Sequence, residues 1–242
     1  MSRQKATRPP AATTVAAWSW RLAAVLVFFV GLHQAWGLYE IYLDGERLPL
    51  GDIARNGGRA LELANDIHHL RPGRFLWHLN QHGPFAYSLL LMPFLLIGGP
   101  TYAAATLPHV LLFALTPLVL LAVARRIDSG PLGLWAGLLA SALWLASPQI
   151  RLFAILIQHE SAGAFFTLVA LLAYGGAIRT DSLRSWRRAV FFALALVLIK
   201  FNYGLAWLGT VAVSEILRST TADRQRWVMG AALYLQPWRR TG

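Results

Sequence analysis

The chain has 242 residues, of which 56% are hydrophobic and only 14% are charged, and apolar runs recur along most of its length. This composition excludes an ordinary soluble domain and predicts an all-α polytopic membrane protein, a helical bundle for which the positions of the arginines, given below, indicate about six crossings. The net charge of +11 is assigned to basic cytoplasmic loops rather than to nucleic-acid binding, because no polar segment interleaves basic and aromatic residues, and the lack of cysteine excludes disulfides.

The N-terminal region, residues 1–15, is basic and is predicted to be disordered and cytoplasmic. The apolar run 16–37 follows, and it is long enough to span a bilayer, which needs roughly 20 residues. No clear small-residue cleavage site comes after it, so the run predicts an uncleaved anchor rather than a signal peptide. Trp18 would lie at one membrane interface and Trp36 at the other.

A long outer loop is predicted over residues 38–101. It holds six of the eleven acidic residues of the chain, which are Glu40, Asp44, Glu46, Asp52, Glu62 and Asp66. Apolar residues at 53, 60, 63, 64 and 67 predict a short amphipathic helix that lies on the membrane surface. The run 85–99 is predicted to lie along the outer interface without crossing, since apolar runs of about 10–14 residues are more often interfacial or re-entrant.

The positions of the arginines predict the topology. The later apolar runs are 103–124, 131–147, 161–178 and 188–217, and the loops between them alternate between basic and nearly uncharged. If 85–99 does not cross, the basic loops face the cytoplasm together with the N-terminus, as the positive-inside rule favours. A polar break at Lys200 divides the last run into two short helices. The final segment, 218–242, is predicted to be a cytoplasmic loop and an incomplete seventh crossing.

This topology collects polar groups at the outer ends of the helices. They are the loop with Asp52, the run that begins at His82, the turn with Glu160 and the tip with Lys200. A carboxylate inside the apolar stretch 152–172 is costly in hydrocarbon unless it reaches water, a partner or a substrate. Glu160 is therefore predicted to lie near the outer mouth of the bundle.

The order of these features resembles the GT-C glycosyltransferases of the protein-mannosyltransferase and aminoarabinose-transferase type. The resemblance covers roughly residues 16–217. It consists of an anchor helix, an acidic residue on a surface helix, the His82-Gly-Pro run, helices that end in Ala-Arg-Arg and Ser-Pro, an acidic residue just before the next helix, and the tip K-F-N-Y-G. It implies an enzyme of the bacterial-type inner membrane that transfers a sugar from a polyprenyl-phosphate donor to a lipid, glycan or protein acceptor at the outer face. Because members of this family continue with further helices, the chain is expected to be a fragment, the N-terminal module of a longer enzyme.

The resemblance also implies roles for individual residues. Asp52 would be the catalytic base, Glu160 a second carboxylate or acceptor positioner, and Lys200 the partner of the donor phosphate. Sugar transfer from a lipid phosphate needs a general base for the acceptor hydroxyl and a fixed cation for the leaving phosphate, and these residue types supply both. The remaining candidate substrate-binding residues are Arg151, Arg55, His82, Asn202 and His159.

Structural roles remain open for the same residues. Asp52 stands at the start of a predicted helix, where its side chain suits an N-cap. Glu160 would alternatively pair with Arg151 or His159 at a helix end. Lys200 would alternatively extend its amine to lipid headgroups.

Two further alternatives concern function. His78 and His82 stand four residues apart, so a divalent metal is conceivable, although no acidic or cysteine partner has ligand-like spacing and no cofactor is predicted. A transporter or carrier subunit would use Glu160 and Lys200 to line a pathway. The acidic outer loop and the absence of a detectable internal repeat favour the transferase, because transporters usually have short outer loops and often paired repeats.

Overall fold

Ten helices form the part of the chain that the computed structural model describes, residues 11–43, 52–80 and 85–219. They are α1 (Ala11–Leu43), α2 (Asp52–His68), α3 (Pro72–Asn80), α4 (Phe85–Gly98), α5 (Tyr102–Ile127), α6 (Pro131–Ala146), α7 (Pro148–Ile155), α8 (His159–Thr180), α9 (Leu183–Ile199) and α10 (Phe201–Ser219). No strand occurs in these ranges, so the all-α prediction is confirmed for them. α1 begins earlier than the predicted residue 16, because alanine, which dominates residues 11–17, has the highest helix propensity.

Three of these helices are long and apolar enough to cross a membrane, namely Ala16–Glu40 within α1, α5 and α8. α6 and α7 would form a fourth span if the pair, bent by 62°, counts as one. Apolar helices of this length indicate a membrane protein. The predicted six crossings are not confirmed in the described ranges, since α4 and α9 have only 14 and 17 residues and α10, with 19, is not apolar enough to count as a span.

The central helix is α5, against which α1, α4, α6 and α8 all pack. Gly31 of α1 lies against the backbone of Ala114, where an added Cβ would come within 2.9 Å of the carbonyl oxygen. Gly137 of α6 meets Leu121 and Ala124 in the same way, at 3.0 Å. Small residues at such contacts let helix backbones approach closely, which is how membrane helices gain van der Waals contact.

A proline inside α5 leaves one backbone carbonyl group without its usual hydrogen-bond donor, and a side chain of α6 supplies that donor. Pro117 has no N–H to donate to Phe113, four residues earlier. The indole Nε1 of Trp144 donates to the Phe113 carbonyl at 3.1 Å, and Ser141 Oγ, whose shorter bond is to the Gly137 carbonyl at 2.8 Å, lies 3.1 Å from the Pro117 carbonyl oxygen. These bonds join α6 to the middle of α5, where an unpaired backbone group in a membrane would find no water.

The apolar face of α2 packs against the protein. Ala60, Leu63 and Ala64 are buried, and Ala60 and Ala64 share a core cluster with Tyr87 and Leu91 of α4. The predicted amphipathic helix is therefore confirmed. The surface that covers these three residues is the protein interior rather than lipid, because α4 lies along α2 and its apolar side chains are large enough to bury them.

Asp66 joins α2 to α3 at the corner between them. Its side chain is 1% exposed, and its Oδ2 atom lies 2.5 Å from Nδ1 of His78. The backbone N–H of Arg71 donates to the Asp66 carbonyl oxygen at 2.8 Å, and Arg74 Nε lies 3.9 Å from Oδ1. A buried carboxylate needs such partners, so Asp66 has an architectural role at the corner of α2 and α3.

Candidate functional site

The predicted helix break at Lys200 is confirmed, since α9 ends at Ile199 and α10 begins at Phe201. Lys200 follows α9 in an extended conformation, with φ −148° and ψ 103°. Gly204 then brings α10 against α9, because a Cβ at this position would lie 2.4 Å from Cα of Val197. Only glycine fits such a close approach between two backbones, so the glycine of K-F-N-Y-G sets the shape of the tip.

The amine of Lys200 lies between a carboxylate and an aromatic ring. Its Nζ atom is 2.5 Å from Glu160 Oε1 of α8 and 4.5 Å from the centre of the Tyr203 ring. The Tyr203 ring fits against Gly163, where an added Cβ would lie 2.3 Å from the ring carbon Cδ2. A charge-assisted hydrogen bond and a cation–π contact thus fix the ammonium at the tip.

Glu160 lies in the first turn of α8, inside the helix rather than before it as the sequence suggested. The positive end of the helix dipole favours a carboxylate at this position. The Lys200 and Glu160 side chains are 23% and 29% exposed, so the ion pair is reachable from outside the bundle. The alternative pairing of Glu160 with Arg151 is wrong, because Arg151 is exposed on α7 and makes no ion pair with a described residue.

His159 connects this ion pair to a buried polar core. Its ring centre lies 4.0 Å from that of Tyr87, and the two planes are inclined by 34°. The Tyr87 hydroxyl lies 2.5 Å from Nε2 of His109, which is fully buried in α5. The other ring nitrogen of His109 has no hydrogen-bond partner among the described residues. α4, α5 and α8 therefore meet beneath Glu160 through stacked rings and one hydrogen bond.

α2 reaches the same region through Asn56. The buried side-chain Nδ2 of Asn56 donates to the Ile157 carbonyl oxygen at 3.2 Å, and a Cβ added to Gly57 would lie 3.6 Å from Ile157 Cδ1. Residue 52 begins α2 one helical turn before Asn56, hence on the same helix face. The backbone thus brings the start of α2 near the turn that precedes Glu160. The side chain of Asp52 lies outside the described residues.

The structure gives less detail on the other candidate residues, some of which lie outside the residues it describes. Arg55 is exposed on α2, and Asn202 is exposed in the first turn of α10. His82 lies outside the described residues. The structure therefore brings together Glu160, Lys200 and the neighbouring His159 in side-chain detail, and it does not define the contribution of the others.

A metal site finds no support in the described residues, which contain no group of three or more His, Cys, Asp or Glu side chains placed to hold an ion. His78, one of the two histidines at ligand-like spacing, is bound to Asp66 instead. Its proposed companion, His82, is outside the described ranges, so the metal alternative stays a prediction.

Four residues of the site were not identified from the sequence. Tyr87 and His109 are polar side chains within apolar helices, which is the same signal that drew attention to Glu160. Asn56 is recognisable only as a polar residue one turn after Asp52. Gly163 gives no signal, because its role depends on the ring of a residue forty positions away.

Comparisons of the chain with protein-family models, with curated proteins and with solved structures gave no match. The likeness to GT-C enzymes thus rests on the ordered motifs alone. Function has to be argued from the chemistry of the site at the tips of α8, α9 and α10.

Proposed function

We propose that this chain is a membrane glycosyltransferase module that moves a sugar from a polyprenyl-phosphate donor to an acceptor hydroxyl on a lipid, glycan or protein. The observation that carries the proposal is the ion pair between Lys200 and Glu160, 2.5 Å apart and partly exposed at the ends of three helices in a largely apolar bundle. A membrane protein keeps such charges where they handle a polar substrate.

Lys200 supplies the cation for the donor phosphate. In the resting site Glu160 holds the ammonium, and the Tyr203 ring supports it from one side. A donor phosphate competes with the carboxylate for the same amine, so its arrival releases Glu160. The ammonium then stabilises the negative charge that builds up on the phosphate as the bond to the sugar breaks.

The carboxylates handle the acceptor. The acceptor oxygen attacks the anomeric carbon, the bond from that carbon to the phosphate oxygen breaks, and its electron pair leaves with the polyprenyl phosphate. The acceptor proton passes to a carboxylate, for which Asp52 is the proposed base. Glu160, released from Lys200, orients the acceptor hydroxyl. The Asn56–Ile157 bond supports this pairing because it draws the start of α2 toward the turn before Glu160.

The apolar surface beside the ion pair suits a polyprenyl chain. Phe201, Leu205 and Leu208 are 54%, 49% and 40% exposed and stand on one face of α10, starting next to Lys200. A lipid tail lying on this face would present its phosphate to the amine. This combination of an exposed apolar face and a fixed cation favours a lipid-linked donor over a water-soluble sugar nucleotide.

The direct test is transfer by the purified chain in proteoliposomes. Polyprenyl phosphate carrying a radiolabelled sugar serves as donor, and membrane lipid and protein extracts serve as acceptors. We expect the label to move into an acceptor fraction with release of one polyprenyl phosphate per sugar. If the label instead stays on its carrier while the intact molecule crosses the bilayer, the chain is a transporter and the proposal fails.

The proposal includes a topology of six crossings with a cytoplasmic N-terminus, in which α4 lies along the outer interface. The lack of cysteine makes single-cysteine labelling straightforward. Ser129→Cys, exposed after α5, should react only from the cytoplasmic side, and Arg71→Cys, exposed between α2 and α3, only from outside. Position 129 is preferable to 128, because the Asp128 carboxylate accepts hydrogen bonds from two backbone N–H groups. Labelling of both cysteines from the same side would overturn this topology.

A further inference from the structure

A second basic surface lies on α9, at the end of the helix far from Lys200. Arg184, Arg187 and Arg188 are all exposed, and their spacing places them on one helix face. Phe191 and Leu194 continue this surface and are 64% and 55% exposed. Arg184 stands sixteen residues before Lys200, so the two sites are about 24 Å apart along the axis.

These residues line a shallow groove. The cleft has a volume of about 670 Å³, and its lining consists of Leu183, Arg184, Arg187, Arg188, Phe191 and Phe192. One part of the lining is cationic and the other is apolar. The groove is larger than the cleft of about 380 Å³ between α1 and α5, and it shares no residue with the candidate transferase site.

The positive charge of the groove is not neutralised by the described residues. None of their carboxylates forms an ion pair with the three arginines. Three acidic residues at this end of the bundle contact other groups, and one of them, Glu215, accepts from the Tyr174 hydroxyl. Asp128 accepts from the N–H groups of Gly130 and Gly133 at 2.8 and 2.9 Å, and Asp181 accepts from Trp186 Nε1 at 3.3 Å.

The groove lies beside the end of a candidate membrane span. α8, a candidate membrane span, ends at Thr180, and α9 begins three residues later at Leu183. α9 packs back along α8, since Ala177 and Ala189 share one core cluster. The arginines therefore stand near the end of this candidate span, and Phe191 and the residues after it run back along α8.

We propose that this groove binds an anionic phospholipid, with the arginines on its phosphate and the apolar residues on its acyl chains. Guanidinium groups match phosphate oxygens in planar, two-point hydrogen bonds, which favours arginine over lysine at such a site. The exposed Phe191 and Leu194 favour a lipid over a free anion, because they continue the face of the arginines and match acyl chains, whereas a soluble phosphate would use only the arginines. The proposal is independent of the transferase chemistry at the other end of α9.

The test is lipid binding by the purified chain in a neutral detergent. Dioleoylphosphatidylglycerol is titrated against dioleoylphosphatidylcholine, and bound lipid is counted by native mass spectrometry. We expect R187Q/R188Q to weaken phosphatidylglycerol binding by at least about tenfold, since each arginine near an anionic headgroup contributes appreciably. The matched control, R71Q/R74Q, removes two exposed arginines from the corner of α2 and α3 and should change binding less than about twofold.

Two further arms make the result specific. R187K/R188K keeps the charge but loses the planar guanidinium groups, so lipid binding should fall only in part. This lysine variant replaces R187Q/R188Q in the test if the glutamine variant does not fold. Glycerol 3-phosphate should not displace the lipid, and F191A should weaken lipid binding. Equal loss in both arginine pairs, unchanged binding in R187Q/R188Q, or displacement by glycerol 3-phosphate would each overturn the proposal.

Discussion

Replacing Glu160 by glutamine is expected to lower sugar transfer at least about tenfold, which corresponds to about 1.4 kcal/mol of transition-state stabilisation. The substitution keeps the shape of the side chain and removes the charge that orients the acceptor. Donor binding should be retained, because Lys200 no longer has to exchange a carboxylate for the donor phosphate. Initial rates at varied donor concentration separate these effects, since the change should fall on kcat rather than on KM.

Lys200→Gln should produce the complementary result. Loss of a charged donor to the phosphate should raise the KM for the donor and lower transfer by roughly ten- to a hundredfold. Lys5→Gln is the matched control, because Lys5 is the only other lysine of the chain. We expect its kinetics to equal those of the unaltered protein.

The same two substitutions distinguish catalysis from architecture. If the ion pair only held α8 and α9 together, each single variant would lower the melting temperature and the double variant Glu160→Gln with Lys200→Gln would recover part of the loss. Transfer would then be unchanged in all three. That pattern would show the pair to be structural and would remove the main support for the proposed function.

Replacing Asp52 by asparagine is expected to lower transfer at least about a hundredfold without a loss of stability. Asparagine caps a helix N-terminus about as well as aspartate, so the substitution keeps the alternative role of Asp52 and removes only the proposed base. Unchanged transfer in this variant would assign Asp52 to capping. The measurements are transfer in proteoliposomes and a thermal melting curve of the same preparation.

Asp66 provides the contrast on the same helix. Asp66→Ala should leave His78 without its buried partner and lower the free energy of unfolding by about 1–3 kcal/mol. For a chain of this size the melting temperature would fall by several degrees, roughly 2–4 °C per kcal/mol. Transfer by the fraction that remains folded should be nearly normal. If instead Asp66→Ala abolished transfer while keeping stability, the base would have to be sought at the α2–α3 corner.

The sequence by itself predicted the long helices and one break between them, but not the short helices α3 and α7. Long apolar runs predicted α5 and α8, and the polar residues from Lys200 to Tyr203 predicted the division between α9 and α10. The apolar run 131–147 predicted α6, which ends at Ala146. The periodicity of residues 53–67 predicted α2. All of these signals are local, since they depend on hydrophobic spacing and backbone chemistry within one or two helical turns.

The number of membrane crossings could not be predicted from such local signals. Length and composition identify three or four candidate spans in the described ranges, whereas the distribution of arginines predicts about six crossings. Charge indicates the side of the membrane on which a loop lies. Whether helices as short as α4 and α9 cross the membrane can be inferred from it only indirectly. The six-crossing topology therefore remains part of the proposal.

Only the tertiary structure decided which charges and surfaces meet. Glu160 pairs with Lys200, forty residues away, and not with Arg151 on the preceding short helix. That choice depends on Gly163 and Gly204, whose missing side chains admit the Tyr203 ring and the α9 backbone. The apolar face of α2 likewise covers α4, an arrangement that a single helical pattern does not distinguish from contact with lipid. Packing between distant segments of the chain sets which residues contact one another. A local hydrophobic pattern indicates only that a residue is buried, and it does not identify the residues that cover it.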